Sequence, residues 1–250
     1  MKIALCFLTY SNIIQNNLWQ TFVNQTDKYN CYLHNKNDFI GFFKKYSIEN
    51  KVKTKYGHIS LVKATINLFR EALLDYDNKY FILLSDTCIP LYGPSKTYNI
   101  ITKENNNIIT SYFSQECERY QSLSFKEFFD ENKFSKQSQW MCLTRNTADF
   151  FANNDFIDIF GEESRFPDEH YFINIINMFG MKYTNKRLTY VNWKEKSDLP
   201  LYRSLPKTYS IITDKILQEM RDSGCVFARK IAHNCTFPVN YLKEIKEDSL

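Results

Sequence analysis

The sequence predicts a single α/β domain built on a doubly wound, mostly parallel central sheet flanked by helices. Three observations predict it. Two stretches, "KIALCFLTY" (residues 2–10) and "KYFILLS" (residues 79–85), are nearly continuous apolar runs ending in polar residues, the pattern of strands buried on both faces. Strand and helix patterns alternate as β-α-β-α-β over roughly the first 110 residues, which argues for parallel strands joined by crossovers. The 250 residues are 44% apolar and 16% aromatic, enough to bury a substantial core.

The elements follow in order. "KIALCFLTY" is the first strand. Asn12 is placed to cap a helix whose apolar face is Ile13, Ile14, Leu18, Trp19, Phe22 and Val23. "YNCYLH" (residues 29–34) is the next strand. Residues 60–75 form a helix with Leu61, Val62, Ile66, Leu68, Phe69, Leu73 and Leu74 on its apolar positions, and "KYFILLS" follows as a buried strand. "NIITSYF" (107–113) and "SQWMCLT" (138–144) read as strands, "NTADFFAN" (146–153) as a helix. "DEHYFINIINMF" (168–179) is a helix with Pro167 at its N-terminal edge. "RLTYVNW" (187–193) is a strand. "TDKILQEMRDSG" (213–224) is a helix capped by Thr213 and stopped by Gly224. No repeat and no Pro/Ser-rich linker divides the chain, so residues 1–250 form one domain.

In such sheets ligands bind beyond the carboxyl ends of the strands. Those ends are Thr9-Tyr10-Ser11, His34-Asn35-Lys36 and Ser85-Asp86-Thr87.

Several classes are excluded. The net charge of +4, with no basic arm, gives no reason to expect a nucleic-acid partner. No segment approaches the roughly 20 apolar residues of a membrane span, and the opening apolar run is too short for a signal peptide, so no anchor is expected. The seven cysteines form no C-x-x-C pair and are odd in number. They read as free thiols of the cytoplasm or another reducing compartment. There is no G-x-G-x-x-G or G-K-[ST] phosphate loop and no G-x-S-x-G nucleophile elbow. The four histidines, His34, His58, His170 and His233, lack zinc-ligand spacing. The one D-x-D, Asp75 to Asp77, precedes a strand and therefore lies at the wrong end of the sheet for a metal-bound ligand.

Three stretches carry chemistry, each with two readings. Asp86 follows a buried strand; it is either a functional loop acid or a turn cap. Asp168, Glu169 and His170 follow Pro167; the acids either complement a helix N-terminus or include a working carboxylate. Arg229 and Lys230, with Lys207, Arg203 and Arg221 nearby in sequence, are either solvated charge or an anion cradle.

Five stretches, in this order, resemble the core-2/I-branching β-1,6-N-acetylglucosaminyltransferase family (glycosyltransferase family 14), and its plant-type members most closely. They are "YGHISLVKATINLFREALLDYDNKYFILLSDTCIPLY", "SQWMCLTRNTADF", "PDEHYFINIINM", "NKRLTYVNW" and "CVFARK", spanning Tyr56 to Lys230. The resemblance implies a GT-A-type fold, a UDP-sugar donor, a glycan or glycoprotein acceptor, inversion at the anomeric carbon and no metal or other cofactor. It puts the catalytic base on Glu169 and the diphosphate-binding lysine on Lys230, with Lys207 as a second cation and Arg203 as its rival. Under it, Arg229, Thr9, Ser11 and Asp86 belong to the donor site. Trp140 either stacks on an acceptor sugar or is buried core. Residues 1–115 become the nucleotide-sugar-binding half and 116–250 the acceptor and catalytic half. N-acetylglucosamine is the donor sugar the family name favours, with xylose, glucose and galactose as alternatives. A carbohydrate- or nucleotide-binding protein without catalysis is the alternative of a different class. Departures from the family are expected in three respects: no N-terminal membrane anchor or stem, no disulfide-rich character like that of the animal enzymes, and a shorter chain with trimmed acceptor loops.

Overall fold

The structure is a computed structural model; it describes residues 1–38, 40–113, 120, 124–161, 164–194 and 205–247. At its centre is a six-stranded sheet. Strands β1 (Lys2–Thr9), β2 (Tyr29–Asn35) and β3 (Asn78–Ser85) are parallel, with β1 in the middle. Helix α1 (Asn16–Asn24) connects β1 to β2, and α2 (Ser60–Leu73) connects β2 to β3. Beyond β3 lie β8 (Cys142–Thr144), antiparallel to both neighbours, then β5 (Asn107–Ile109) and β9 (Tyr183–Asn185), parallel to each other. The expected single α/β domain with a mostly parallel sheet is what forms, and the sheet takes strands from both halves of the chain.

The two-residue period of β1 separates the core into two layers. Ile3, Leu5 and Phe7 pack with Leu18, Trp19 and Phe22 of α1; the Phe7 and Trp19 rings meet edge to face at 5.1 Å. Ala4 and Cys6 pack with Val62, Ile66 and Phe69 of α2. Helices thus cover opposite faces. The chain leaves β1 to one side for β2 and returns to its other side for β3. That places the topological switch point at the carboxyl ends of β1 and β3.

A second layer of short strands closes over this end. Strand β12 (Phe227–Arg229) runs parallel to β10 (Thr189–Val191) and antiparallel to β4 (Ile89–Pro90), pairing Ala228 with Ile89. Strand β11 (Tyr209–Ile211) pairs with β13 (Ile231–Thr236). Strands β6 (Ser111–Phe113) and β7 (Ser135–Gln137) form an antiparallel pair. Among the described residues the remaining helices are α3 (Pro94–Glu104), α4 (Arg145–Asn153), α5 (Ile157–Phe160), α6 (Tyr171–Met178), α7 (Asp214–Asp222) and α8 (Val239–Glu247).

Four expected elements differ in detail. Asn12 does not cap α1, which starts at Asn16 with no side-chain cap on Gln15. The intervening loop is held at the switch point instead, because Ile14 N donates to the Asp86 carbonyl at 2.8 Å. "NIITSYF" is two strands: β5 stays in the main sheet, and β6 leaves it after Thr110 to pair with β7. "SQWMCLT" is a strand only over its last three residues. The helix expected from Asp168 is interrupted: Pro167–Glu169 form a 3-10 turn, and His170, at φ −137°, separates that turn from α6.

The ends of α7 form as the residues dictate. Thr213 Oγ1 accepts from Ile216 N at 3.3 Å, and Gly224 adopts φ +75° beyond the last turn. Thr213→Ala is expected to cost about 1 kcal/mol of stability, read as a lowered Tm with activity unchanged.

Candidate functional site

The carboxyl ends of β1 and β3 are tied together by side chains expected in the site. Tyr10 N donates to Asp86 Oδ2 at 3.2 Å. Thr9 Oγ1 donates to the Ser11 carbonyl at 2.9 Å, which folds the strand end back on itself. Gln15 Nε2 donates to the carbonyls of Ala232 and His233, joining this loop to β13.

The β12–β13 segment brings the cations to the same place. Ile231 N donates to the Thr87 carbonyl at 3.1 Å, and Lys230 N to the Lys207 carbonyl at 3.4 Å. Arg229 and Lys230 therefore lie beside Asp86, and Lys207 beside Lys230. The Arg229 guanidinium sits over the Trp140 ring, 4.4 Å from its centroid. Its Nε is buried and has no hydrogen-bond partner. Burial pulls the Arg229 pKa below its ordinary value, opposed by the negative charges that Cys88, Asp86 and Tyr56 carry when ionised. Burial also lowers Lys230; the Arg229 charge lowers it further, and Asp86 opposes both. Two adjacent, partly desolvated cations near one carboxylate are an electropositive cluster whose repulsion an anion would relieve.

Glu169 stands on the 3-10 turn that follows Phe166. Its Oε2 is 3.2 Å from Lys136 Nζ on β7, and its side chain is 26% exposed, so solvent and ligand can reach it. Strand β7 is fixed against α6: Ser135 N donates to Asn174 Oδ1, Asn174 Nδ2 to the Ser135 carbonyl, and Ile173 N to Gln137 Oε1. The Tyr56 ring packs on Phe166, which opens this turn, with centroids 5.4 Å apart.

The other candidates are structural. His170 is 1% exposed, stacked on Phe134, with Nδ1 at 3.2 Å from the Ser135 carbonyl. His34 is fully buried; Val52 N donates to its Nε2, and burial pushes its pKa down to about 4. Arg221 is spent elsewhere, on the Leu91 carbonyl and Glu244. Asp75 holds Asn30 and the Asp77 amide at the amino end of β3, as a turn acid does. Arg203 and Cys117 lie outside the described residues; the remaining six cysteines are free, five of them buried.

The sequence reading did not include Tyr56, Gly57 or Lys136 among the site residues. Tyr56 and Gly57 open the longest of the five stretches, a usable signal. Lys136 has none, because its place opposite Glu169 depends on the β6–β7 pairing.

An α/β sheet with a cation pair at its switch point offers a place for an anionic group. Residues 3–221 match the Core-2/I-Branching enzyme family, and the chain belongs to that family. It is a glycosyltransferase of the core-2/I-branching type, acting on a sugar donor and a glycan acceptor. The chain is similar to "Glycosyltransferase BC10" of Oryza sativa subsp. japonica, 22% identical over 268 residues that cover 90% of this chain and 67% of the relative. Among solved structures, "Crystal Structure of A197 from STIV" aligns with a TM-score of 0.35 and 10% identity, over 70% of this chain and 77% of that one, a likeness too distant to carry an argument. No helix among the described residues is long and apolar enough to cross a membrane.

Proposed function

We propose that the enzyme is an inverting, metal-independent, GT-A-type transferase that moves a sugar, N-acetylglucosamine first among candidates, from a UDP-sugar to a glycan hydroxyl. The observation that carries this reading is the Arg229–Lys230 pair at the switch point, held there by Ile231 N on the Thr87 carbonyl, with Arg229 over Trp140. Glu169 takes the proton from the acceptor hydroxyl, whose oxygen attacks the anomeric carbon as the bond to UDP breaks. Arg229, Lys230 and Lys207 stabilise the charge developing on the departing diphosphate, the task a divalent cation performs in other transferases. Thr9, Ser11 and Asp86 line the donor side. The Trp140 ring, with the guanidinium 4.4 Å from its centroid, supports that cation.

The test is a panel of UDP-N-acetylglucosamine, UDP-xylose, UDP-glucose and UDP-galactose, with and without EDTA. One donor is expected to raise the Tm by mass action and to be consumed at the same rate in chelator. Activity abolished by EDTA and restored by a divalent metal would end the metal-independent reading. UDP binding with neither transfer nor hydrolysis would favour a binding protein.

A further inference from the structure

Phe166 precedes Glu169 by three residues and has left-handed backbone, φ 53° and ψ 52°. A bulky side chain seldom adopts that region unless its surroundings hold it there, and such residues concentrate at functional sites. The surroundings here are a second left-handed residue, Gly57, at φ +65°. Phe166 N donates to the Gly57 carbonyl at 2.9 Å. The Phe166 ring lies so close to Gly57 that a Cβ there would stand 3.1 Å from Cε1 and 3.2 Å from Cδ1. Tyr56 meets the same ring edge on, with planes at 82°. On its other side, Phe166 accepts from Glu169 N at 3.0 Å.

One residue is thus bonded by its amide to the 56–57 loop and by its carbonyl to the amide of Glu169. The loop is itself anchored to the start of α2: Lys55 N donates to Ser60 Oγ at 2.9 Å and Ser60 N to His58 Nδ1 at 3.1 Å. A buried helix of the central layer therefore sets the loop, the loop sets Phe166, and Phe166 sets the 3-10 turn.

We propose that Gly57 and Phe166 form a clasp that fixes where the Glu169 carboxylate stands, which makes both of them positioning residues for sugar transfer. The proposal rests on Glu169 being the base. Only glycine suits position 57, because any Cβ meets both an unfavourable φ and the Phe166 ring. A carboxylate displaced by about 1 Å costs up to about a hundred-fold in rate without weakening donor binding, since the donor's diphosphate is held by other residues.

The experiment compares Gly57→Ala and Phe166→Leu with the parent enzyme by amide hydrogen exchange, UDP titration and transfer kinetics. In both variants the Glu169 amide is expected to exchange about ten-fold faster or more, with β1 and α2 amides unchanged. Transfer is expected to fall about ten- to a hundred-fold in kcat, with the Kd for UDP unchanged. Should one variant fail to fold, the other carries the same expectations. Unchanged exchange at Glu169 overturns the clasp. Faster exchange with parental kcat overturns the positioning role, and so does a kcat loss matched by weaker UDP binding. A parent enzyme that transfers no sugar from any donor overturns the proposed function and this role with it. In that case the exchange data still decide whether the clasp holds the turn.

Discussion

Glu169→Gln is expected to lower transfer by roughly 10²–10⁴-fold, the usual worth of a positioned general base, while UDP binding stays at the parental level. The substitution is nearly isosteric and leaves the turn intact, because the bond that holds the turn joins Glu169 N to the Phe166 carbonyl and uses no side-chain atom. It does remove the charge facing Lys136 Nζ at 3.2 Å. That pair is half exposed, and such pairs contribute about 0–1 kcal/mol, too little to unfold the protein. Lost turnover with an unchanged UDP titration therefore reports on chemistry and not on folding. Parental turnover would move the base to another carboxylate.

The framework was legible because burial on both faces leaves a strong sequence trace. The apolar runs of β1 and β3 and the 3.6-residue pattern of α2 have no competing reading. The position of Asp86 and Thr9 at the switch point was legible for a related reason: both end or follow buried strands, and in a doubly wound sheet that marks the ligand side. What stayed hidden depends on pairing between distant segments. "NIITSYF" has one uniform pattern yet serves two sheets, and only the partners Asn185 and Gln137 reveal the split at Thr110. Pro167 with two acids announces a helix start. The left-handed Phe166 and the break at His170 turn that start into a separate 3-10 turn, and Phe166 keeps its conformation through contacts with Gly57, more than a hundred positions away. The sequence leaves Trp140 open between core and a platform for sugar; the structure buries it to 6% exposure with the Arg229 guanidinium 4.4 Å from its ring centroid.

Arg229→Ala is expected to reduce kcat/KM for the UDP-sugar by about 10²–10³-fold, the range seen when one preorganised donor to a developing negative charge is removed. Arg229 is half-buried, with its guanidinium over Trp140 and its Nε buried without a partner, so water screens its charge less than at an open surface. The loss is expected in both KM and kcat, because the diphosphate is bound in the ground state and gains charge as the sugar leaves. Arg229→Lys separates charge from shape: an ammonium keeps the charge but neither lies flat on the indole nor presents a fork of donors, so it is expected to restore only part of the lost rate. Trp140→Ala is expected to reproduce a milder form of the Arg229→Ala defect, raising KM for the donor and leaving KM for the acceptor unchanged. A rise confined to the acceptor KM would instead return Trp140 to the acceptor side. Lys230→Ala removes a cation that repels Arg229 and so relieves that repulsion, and its effect is expected to be the smaller of the two. An Arg229→Ala enzyme with parental donor kinetics and a parental circular dichroism spectrum would show that the leaving diphosphate is stabilised elsewhere.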